Sequence, residues 1–428
     1  MHKDLPSHAR GRARRLTGAA FVAAMVPALM FGSSSTAAPS FGAPVRMTGG
    51  AGFEQGINVA PTGEVYVDEP AAFPTFEHRL WRSDDGGVTF KRLTFGAPAS
   101  RMPGGGDTDV VVTEDGRVYF LDLWLGSNSI AASLNKGETW TYGQPLTTIP
   151  PSDRQWLALG NRNEVTGLDT LYATYSWFPL CMTFARSDDG GLTWPFQRPI
   201  PYVTCGDAGA TGELVSDGEF VGVAWENNGD IYWTHSTDAG LTWTDRITVT
   251  DDHQASADIY GAALSGQDVY TTFIDRADGY ATYVVRSRDR GLTWDAPVKV
   301  SPGGGSAVFS WVAARGSKVA AVWYETLDGS GLPDSVPDTA AWKVKYAESN
   351  DFGDTWTTPI AVSSTVLTGK VCISGLACTT GEAPGDRSLG DFLSVTLDAN
   401  GRALIAYRDG VADATDAPFA GGYVIKQS

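Results

Sequence analysis

An eight-residue motif recurs six times along the chain and sets the strongest limit on its fold. Residues 83–90 read Ser-Asp-Asp-Gly-Gly-Val-Thr-Phe, and related copies begin at Ser133, Ser187, Ser236, Ser287 and Ser349. The starting serines are 49 to 62 residues apart. A period of this length suits one four-stranded sheet per repeat, which is the blade of a β-propeller.

The pattern shared by the copies is Ser-x-Asp-x-Gly-x-Thr-aromatic, with Asn135 in place of the Asp in the second copy. A short Asp side chain accepts hydrogen bonds from nearby backbone N–H groups, and Gly adopts backbone angles that other residues resist. We therefore interpret these aspartates as residues that hold a turn together rather than as ligands for a substrate.

Strand-like segments flank each motif. Residues 183–186 precede one copy and residues 297–300 follow another, so the motif joins the third and fourth strands of a unit. Residues 109–112 and 117–121 read as a first and second strand around a Glu-Asp-Gly turn. The 50 Gly, 14 Trp, 15 Tyr and 18 Phe also suit many short strands joined by tight turns. The sequence predicts an all-β fold.

The two ends of the chain are predicted to complete one blade together. The last unit, from about Asp386, contains three strand-like segments and stops before any motif, whereas residues 43–47 resemble the fourth strand at residues 296–300. Pairing the two ends would cover two otherwise exposed strand edges. It gives seven four-stranded blades, with six as the alternative.

The N-terminal segment predicts export. Five basic residues precede an apolar run at residues 16–31, and small residues follow up to Ala38. We interpret residues 1–38 as a signal peptide and residues 39–428 as a single propeller domain that is secreted and extracellular. Removing residues 1–38 changes the net charge from −17 to −21, because five basic residues and one acidic residue leave with them. An acidic surface argues against nucleic acid and anionic membranes as partners. We also expect the protein to be a monomer.

The four cysteines follow the predicted signal peptide. Cys372 and Cys378 are close enough in sequence to close one loop, which leaves Cys181 and Cys205 as the second pair, although four cysteines allow three connectivities. The three histidines beyond residue 38 are isolated from one another in sequence, which argues against zinc sites and histidine-based catalytic triads.

The repeated motif resembles the Asp boxes, or BNR repeats, of the sialidase superfamily, and the resemblance covers nearly the whole mature chain. It implies a propeller fold, which that superfamily uses for sialidases, other glycoside hydrolases, polysaccharide lyases, lectins and proteins without enzymatic activity. A sialidase would need three arginines for the substrate carboxylate, an Asp acid/base, and a Tyr nucleophile assisted by Glu. The first arginine of that family lies in a Phe/Tyr-Arg-Ile-Pro motif, and this sequence contains no such motif.

Topology narrows the candidate site to one rim of the propeller. In an antiparallel blade the start of the first strand and the end of the second share a rim, and the Asp boxes lie at the opposite one. The candidate catalytic carboxylates on this rim are Asp107, Asp109, Asp153, Asp207, Asp258 and Glu325. The candidate substrate-binding residues are Arg154, Arg276, Arg387, Arg408 and Trp177. Further acids on the same rim are Glu226, Asp275, Asp386 and Asp409.

These residues support two functional hypotheses. Paired carboxylates could act as acid and base on a glycosidic bond while arginines hold an anionic glycan. A ring of aspartates could instead bind Ca²⁺, a cation that takes oxygen ligands. The aromatic side chains that could stack on sugar rings are Trp124, Trp156, Trp177, Tyr260 and Trp311. The leading hypothesis is a secreted, sialidase-like glycoside hydrolase of extracellular glycans, and the alternative is a non-catalytic carbohydrate-binding or scaffold propeller.

Overall fold

The computed structural model describes residues 38–48, 52–70, 79–96, 106–124, 127–146, 152–177, 181–201, 211–256, 259–410 and 421–428. Residues 39–428 form one compact unit. Residues 1–37 of the predicted signal peptide lie outside the described residues. Among the helices that are described, none is long and apolar enough to cross a membrane.

Seven antiparallel sheets make up the described structure, and in six of them the strands follow chain order from one edge to the other. After β1 (Val45–Arg46), the strands of blades 1 to 3 are β2 (Gly56–Val59), β3 (Val65–Asp68), β4 (Leu80–Ser83) and β5 (Lys91–Arg92); β6 (Thr108–Val112), β7 (Val118–Trp124), β8 (Ser127–Ser133) and β9 (Thr141–Tyr142); β10 (Ser152–Arg162), β11 (Asp169–Trp177), β12 (Cys181–Ser187) and β13 (Phe196–Pro199).

The later blades follow the same order. Their strands are β14 (Thr211–Asp217), β15 (Phe220–Asn227), β16 (Asp230–Ser236) and β17 (Ile247–Thr248); β18 (Ala262–Ser265), β19 (Asp268–Asp275), β20 (Ala281–Ser287) and β21 (Val298–Lys299); β22 (Ser306–Arg315), β23 (Lys318–Thr326), β24 (Ala341–Ser349), β25 (Ile360–Ala361) and an extra β26 (Leu367–Thr368) on β24; β27 (Ser394–Leu397), β28 (Ala403–Arg408) and β29 (Gly422–Lys426).

The first strands of successive blades contact one another in turn, and β27 of the last blade contacts β2 of the first, so the blades close into a ring. The seventh blade is completed by β1, which pairs with β29 through Val45 opposite Val424 and Arg46 opposite Tyr423. The predicted all-β propeller of seven blades, closed by the N-terminal strand, is confirmed, and the six-bladed alternative is wrong.

Each Asp box forms the predicted turn between the third and fourth strands of its blade. In blade 3 the Ser187 hydroxyl donates to Asp189 at 2.7 Å, and the Gly191 N–H donates to the Ser187 hydroxyl at 2.8 Å. Asp189 also accepts the Thr193 N–H at 2.9 Å and the Thr193 hydroxyl at 2.6 Å. Asn135 keeps the equivalent N–H contact, with Thr139 at 2.9 Å, so the degenerate copy retains the turn.

The aromatic residue that ends the motif packs against the preceding blade. Trp243 of blade 4 contacts Phe184 of blade 3 with ring centroids 5.2 Å apart, and Trp294 of blade 5 contacts Trp233 of blade 4 at 5.7 Å. A side chain at Gly291 would place its Cβ 2.0 Å from the Trp233 indole nitrogen, so this close approach requires Gly. The motif therefore serves both the turn and the blade interface.

A disulfide joins Cys372 and Cys378, as the sequence spacing predicts. It encloses most of the short helix α1 (Leu376–Thr380), which lies between the last strand of blade 6 and the first strand of blade 7. Cys205 lies outside the described residues, so its pairing with Cys181 stays a prediction.

We expect the Asp189→Ala substitution to destabilise the protein by about 1–3 kcal/mol, because it leaves three N–H or O–H donors of a tight turn without their acceptor. The matched control is Asp188→Ala, which removes an ion pair with Arg186 at 3.0 Å and a long hydrogen bond from the Thr170 hydroxyl at 3.4 Å, both at the surface. Such pairs contribute about 0–1 kcal/mol. Thermal unfolding of both variants measures the difference, and equal shifts in Tm would contradict the role assigned to Asp189.

Candidate functional site

The inner strand of each blade begins at the rim opposite the Asp boxes. In blade 3 the pairing runs from Ser187 of the Asp box through Leu171 to Leu159, near the end of β10. The start of β10, at Ser152, therefore lies at the other end of the channel. The acids and arginines that precede the first strands share this mouth.

We call six charged residues around this mouth the mouth cluster: Glu54, Asp107, Asp153, Arg154, Arg387 and Asp391. They come from blades 1, 2, 3 and 7, and they lie close enough for their charges to act on the pKa values of Glu54, Asp153 and Arg387. Four of them (Asp107, Asp153, Arg154 and Arg387) are among the candidates that the sequence predicts, and the fold brings these four together.

Arg387 holds Asp391 through a two-pronged ion pair. One guanidinium nitrogen bonds Oδ1 of Asp391, and Nη2 lies 2.5 Å from Oδ2. Nη2 also lies 3.9 Å from Oε1 of Glu54. Because bidentate pairing uses the planar donor face of the guanidinium, this arginine is already committed to a carboxylate of the protein itself.

Asp153 lies beside a second carboxylate at the mouth. Burial of its carboxyl among the surrounding residues, together with the nearby charges of Asp107 and Asp391, raises its pKa to about 6. Its Oδ1 accepts the Arg154 N–H at 3.0 Å, which favours the ionised form but does not outweigh the other effects. Its carboxyl is thus about half protonated at pH 6, and the residue is reached by solvent.

Three aromatic rings form what we call the aromatic floor of the mouth: Trp156, Trp311 and Phe392. The ring centroids of Trp156 and Trp311 are 5.3 Å apart, and Phe392 lies 5.6 Å from Trp156 and 5.2 Å from Trp311. The Arg154 guanidinium carbon lies 3.7 Å from the centroid of Trp156 and 4.3 Å from that of Phe392. This stacking is a cation–π interaction that orients the guanidinium at the mouth.

The aromatic floor spans the channel. Trp156 belongs to blade 3, whereas Trp311 belongs to blade 6 and Phe392 precedes the first strand of blade 7. These blades are not neighbours of blade 3, so the rings meet across the channel axis. Gly261 makes room for Trp311, since a Cβ at that position would lie 2.7 Å from the indole.

A cavity of about 330 Å³ extends from the aromatic floor toward the Asp-box face. Two of its lining carboxylates connect neighbouring blades. Asp109 of blade 2 accepts the Leu157 N–H of blade 3 at 2.6 Å, and Glu213 of blade 4 accepts the Ala262 N–H of blade 5 at 3.2 Å. Asp109 was predicted as a catalytic residue, and its contacts are with the backbone of β10.

The carboxyls around this cavity resist ionisation. Burial and the charge of nearby Asp68 raise the pKa of Asp109 to about 8. Burial raises the pKa of Asp68 to about 6 and that of Glu213 well above its usual value. Arg154 attracts all three anions, so one guanidinium stands opposite a larger number of carboxyls.

Strained backbone positions occur where the inner strands begin. Glu54, Arg154 and Phe309 have φ values of 59°, 33° and 53°, in the left-handed region that non-glycine residues rarely adopt. The pairing register also shifts between Asp153 and Gln155, which is a β-bulge at Arg154. Bulges redirect side chains at sheet ends, and this one accompanies the stacking of Arg154 on the aromatic floor.

Three predicted candidates have their contacts elsewhere. Glu325 is buried in blade 6, with its Oε2 3.5 Å from Lys345. Arg276 is exposed beside Glu226 of blade 4. Arg408 is buried and donates to the Gly52 carbonyl near Glu69. The prediction that Arg276 and Arg408 join Arg154 and Arg387 around one substrate has no support in these contacts, because both face other carboxylates.

The remaining candidates are distributed as follows. Asp207, Asp258 and the side chains of Trp124 and Trp177 lie outside the described residues. The other described candidates make local contacts: Tyr260 donates to the Ser256 carbonyl, Asp275 pairs with His253 at 2.6 Å, and Asp386 accepts the Ser388 N–H at 2.6 Å. Within the described ranges, no three His, Cys, Asp or Glu side chains are arranged to hold a metal ion, and Ca²⁺ binding stays a prediction.

Sequence reasoning missed Glu54, Asp391 and Phe392. Glu54 and Asp391 precede the first strands of blades 1 and 7, just as Asp107 precedes that of blade 2, and Asp153 is the second residue of β10 in blade 3. The rule that placed acids before first strands would have found both if it had been applied to the two end blades. Phe392 carried no signal, because its role depends on contacts across the channel.

A hydrogen-bonded Tyr–Glu pair does exist, but it lies on the third strand of blade 6, at the Asp-box face. The Tyr346 hydroxyl donates to Glu348 at 2.6 Å, and Glu348 directly precedes the Asp-box residue Ser349. Tyr324 is buried and accepts the Arg408 N–H at 2.9 Å. These contacts lie outside the mouth cluster and do not supply the nucleophile that the sialidase resemblance implies.

Comparison with known proteins supports the fold. No protein-family model matches the chain, and no curated protein matches it significantly. Among solved structures, the BP39L lectin from Burkholderia pseudomallei matches with a TM-score of 0.54 and 13% identity, over 84% of this chain and 97% of the lectin. YCF48 from Cyanidioschyzon merolae matches with a TM-score of 0.51 and 13% identity, over 90% of this chain and 98% of YCF48.

The NanB sialidase from Streptococcus pneumoniae matches more weakly, with a TM-score of 0.44 and 10% identity, over 90% of this chain and 70% of NanB. Identities this low show a shared fold alone. The predicted Asp-box propeller architecture is confirmed, and the function must be argued from the mouth itself.

We expect the Asp109→Asn variant to gain stability relative to the wild type as the pH rises from about 4 to about 8. The folded protein keeps a proton on Asp109, whose pKa is about 8, while the unfolded chain releases it near the usual value of 3.8. The wild type therefore loses stability over this range, and the Asn variant does not. Tm measured against pH for both proteins tests this.

The control for that experiment is Asp115→Asn, which should show the opposite dependence. Two hydrogen bonds from Arg162, at 2.8 and 2.9 Å, lower the pKa of Asp115 to about 2. Its contribution to stability is therefore present above the unfolded pKa and lost as the pH falls below about 4. Parallel Tm profiles for the wild type and Asp109→Asn would contradict the assignment for Asp109.

Proposed function

We propose that this protein is a secreted glycoside hydrolase that acts on an extracellular glycan at the channel mouth. The observation that carries the proposal is the pair Asp153 and Asp107 at the mouth, where burial and the charge of Asp107 raise the pKa of Asp153 to about 6. Most glycosidases use two carboxyls, one of which donates a proton.

In this proposal Asp153 is the general acid. Its proton passes to the glycosidic oxygen as the bond between that oxygen and the anomeric carbon breaks. Asp107 accepts a proton from the water molecule whose oxygen adds to the anomeric carbon. The net reaction consumes one water, and a proton exchange with solvent returns the two carboxyls to their starting states.

The aromatic floor gives the proposed site a surface for a sugar ring. Trp156 and Trp311 occupy equivalent positions on the inner strands of blades 3 and 6. In each blade, strand pairing aligns the Asp-box serine with one residue of the inner strand, and the tryptophan lies three residues before that residue. Aromatic faces pack against the C–H groups of sugars, and Arg154 above them can donate hydrogen bonds to hydroxyls.

Secretion of the protein is proposed from its N-terminal sequence.

Glycan binding without turnover is the second candidate function. The ion pair between Arg387 and Asp391 favours this function, because a sialidase would need such an arginine for the carboxylate of its substrate. The structural match to a lectin supports glycan recognition by a propeller of this kind. In this case the same mouth would bind a sugar, and the raised pKa of Asp153 would reflect binding rather than catalysis.

We expect Asp153→Asn and Asp107→Asn each to lower kcat by at least about a hundredfold on a panel of chromogenic glycosides, because each removes a proton-transfer group. The wild-type rate should fall as the pH rises above about 6, where Asp153, with a pKa of about 6, loses its proton.

The matched control is Asp386→Asn, an exposed position near the mouth outside the cluster, where Asn keeps an oxygen for the Ser388 N–H. This variant should retain wild-type turnover. Binding of a glycan without hydrolysis of any member of the panel would favour the second candidate, and a rate unchanged by Asp153→Asn would remove that residue from the mechanism.

A further inference from the structure

The mouth cluster holds more carboxyls than guanidiniums. Four carboxyls, on Glu54, Asp107, Asp153 and Asp391, face two guanidiniums, on Arg154 and Arg387. Burial and the charges of neighbouring carboxylates raise the pKa of Glu54 well above its usual value and that of Asp153 to about 6, so these two side chains take up protons. The same surroundings favour a ligand cation that replaces a proton, and they disfavour a ligand carboxylate.

Both arginines already interact with residues of the protein. Arg387 makes its two-pronged pair with Asp391. Arg154 stacks on Trp156 and Phe392, with its guanidinium carbon 3.7 and 4.3 Å from the two ring centroids. A bidentate contact with an incoming carboxylate would require Arg387 to break a pair that already satisfies it.

Glu54 supplies an independent indication of what the mouth binds. Its side chain is 3% exposed, and among the described residues its carboxylate makes no hydrogen bond; its ion pair with Arg387 is long, at 3.9 Å. It lies in the field of Asp107 and Asp391, so it faces into the cluster. A buried carboxylate without a close donor is costly unless a ligand provides one.

We propose that the glycan bound at this mouth carries a free ammonium group, as a de-N-acetylated amino sugar does. This inference rests on the proposed function and names its substrate class. The ammonium donates to the carboxylates of Glu54 and Asp107, and the proton that Glu54 carries in the empty site passes to solvent. The sugar ring packs on the aromatic floor. A sialylated glycan, which bears a carboxylate, is disfavoured by the same charges.

The test compares two trisaccharides that differ only in this group: β-1,4-linked glucosamine and its N-acetylated counterpart. Their affinities are measured by calorimetry at about pH 6, where an amine is protonated. We expect the ammonium form to bind at least about tenfold more tightly in low salt, and the ratio to shrink at about 1 M salt, where charges are screened within about 3 Å. Sialyllactose is the anionic third ligand and should bind most weakly.

Glu54→Gln and Asp107→Asn should each reduce the ratio between the two trisaccharides, because each removes one negative charge from the mouth while leaving its shape nearly unchanged. Asp386→Asn should leave the ratio unchanged. Binding of the N-acetylated or sialylated ligand as tightly as the ammonium form would overturn this inference and leave the proposed function standing. Absence of binding and turnover for every glycan would overturn both.

Discussion

The antiparallel pairing of β1 with β29 is the contact on which the rest of the molecule depends. The last blade has only three strands of its own, so the ring closes when the N-terminal strand adds the fourth. Closure brings β27 against β2, and with it the residues that precede each strand. Glu54 of blade 1 meets Asp391 and Arg387 of blade 7 for this reason alone. This part of the mouth cluster is thus a consequence of ring closure, because Glu54 lies more than 300 residues from Arg387 and Asp391 in sequence.

The channel combines interactions that stabilise the ring with groups that cost stability. Asp109 and Glu213 connect neighbouring blades by accepting backbone N–H groups, yet burial raises the pKa of both carboxyls. Such carboxyls lower the stability of the folded protein when they ionise, and the surrounding structure holds them in place. The strained backbone at Arg154 belongs to the same set, since its bulge accompanies the placement of the guanidinium over the aromatic floor. The turns that stabilise the fold lie at the Asp-box face, whereas the groups that we propose act on a ligand lie at the mouth.

The separation of these two faces explains why similar folds say little about activity. The Asp boxes and the aromatic residues behind them fix the turns and the blade interfaces, and the resulting fold is similar to the folds of a lectin and of YCF48. The function of this chain is therefore argued from its mouth, where carboxyls outnumber guanidiniums and aromatic rings close the channel beneath them. Our proposal that the mouth prefers a positively charged sugar rests on these features.

The sequence by itself determined the all-β class, the seven blades, the closing strand, the Cys372–Cys378 disulfide and the rim that carries the candidate site. All of these follow from local repeats, because a motif that forms the same turn each time also fixes which strand ends lie together. Only the tertiary structure decided that Asp107, Asp153, Arg154 and Arg387 meet at the mouth, whereas Glu325, Arg276 and Arg408 face other partners. Strand order places a residue on a rim, but bulges and contacts across the channel determine where its side chain points.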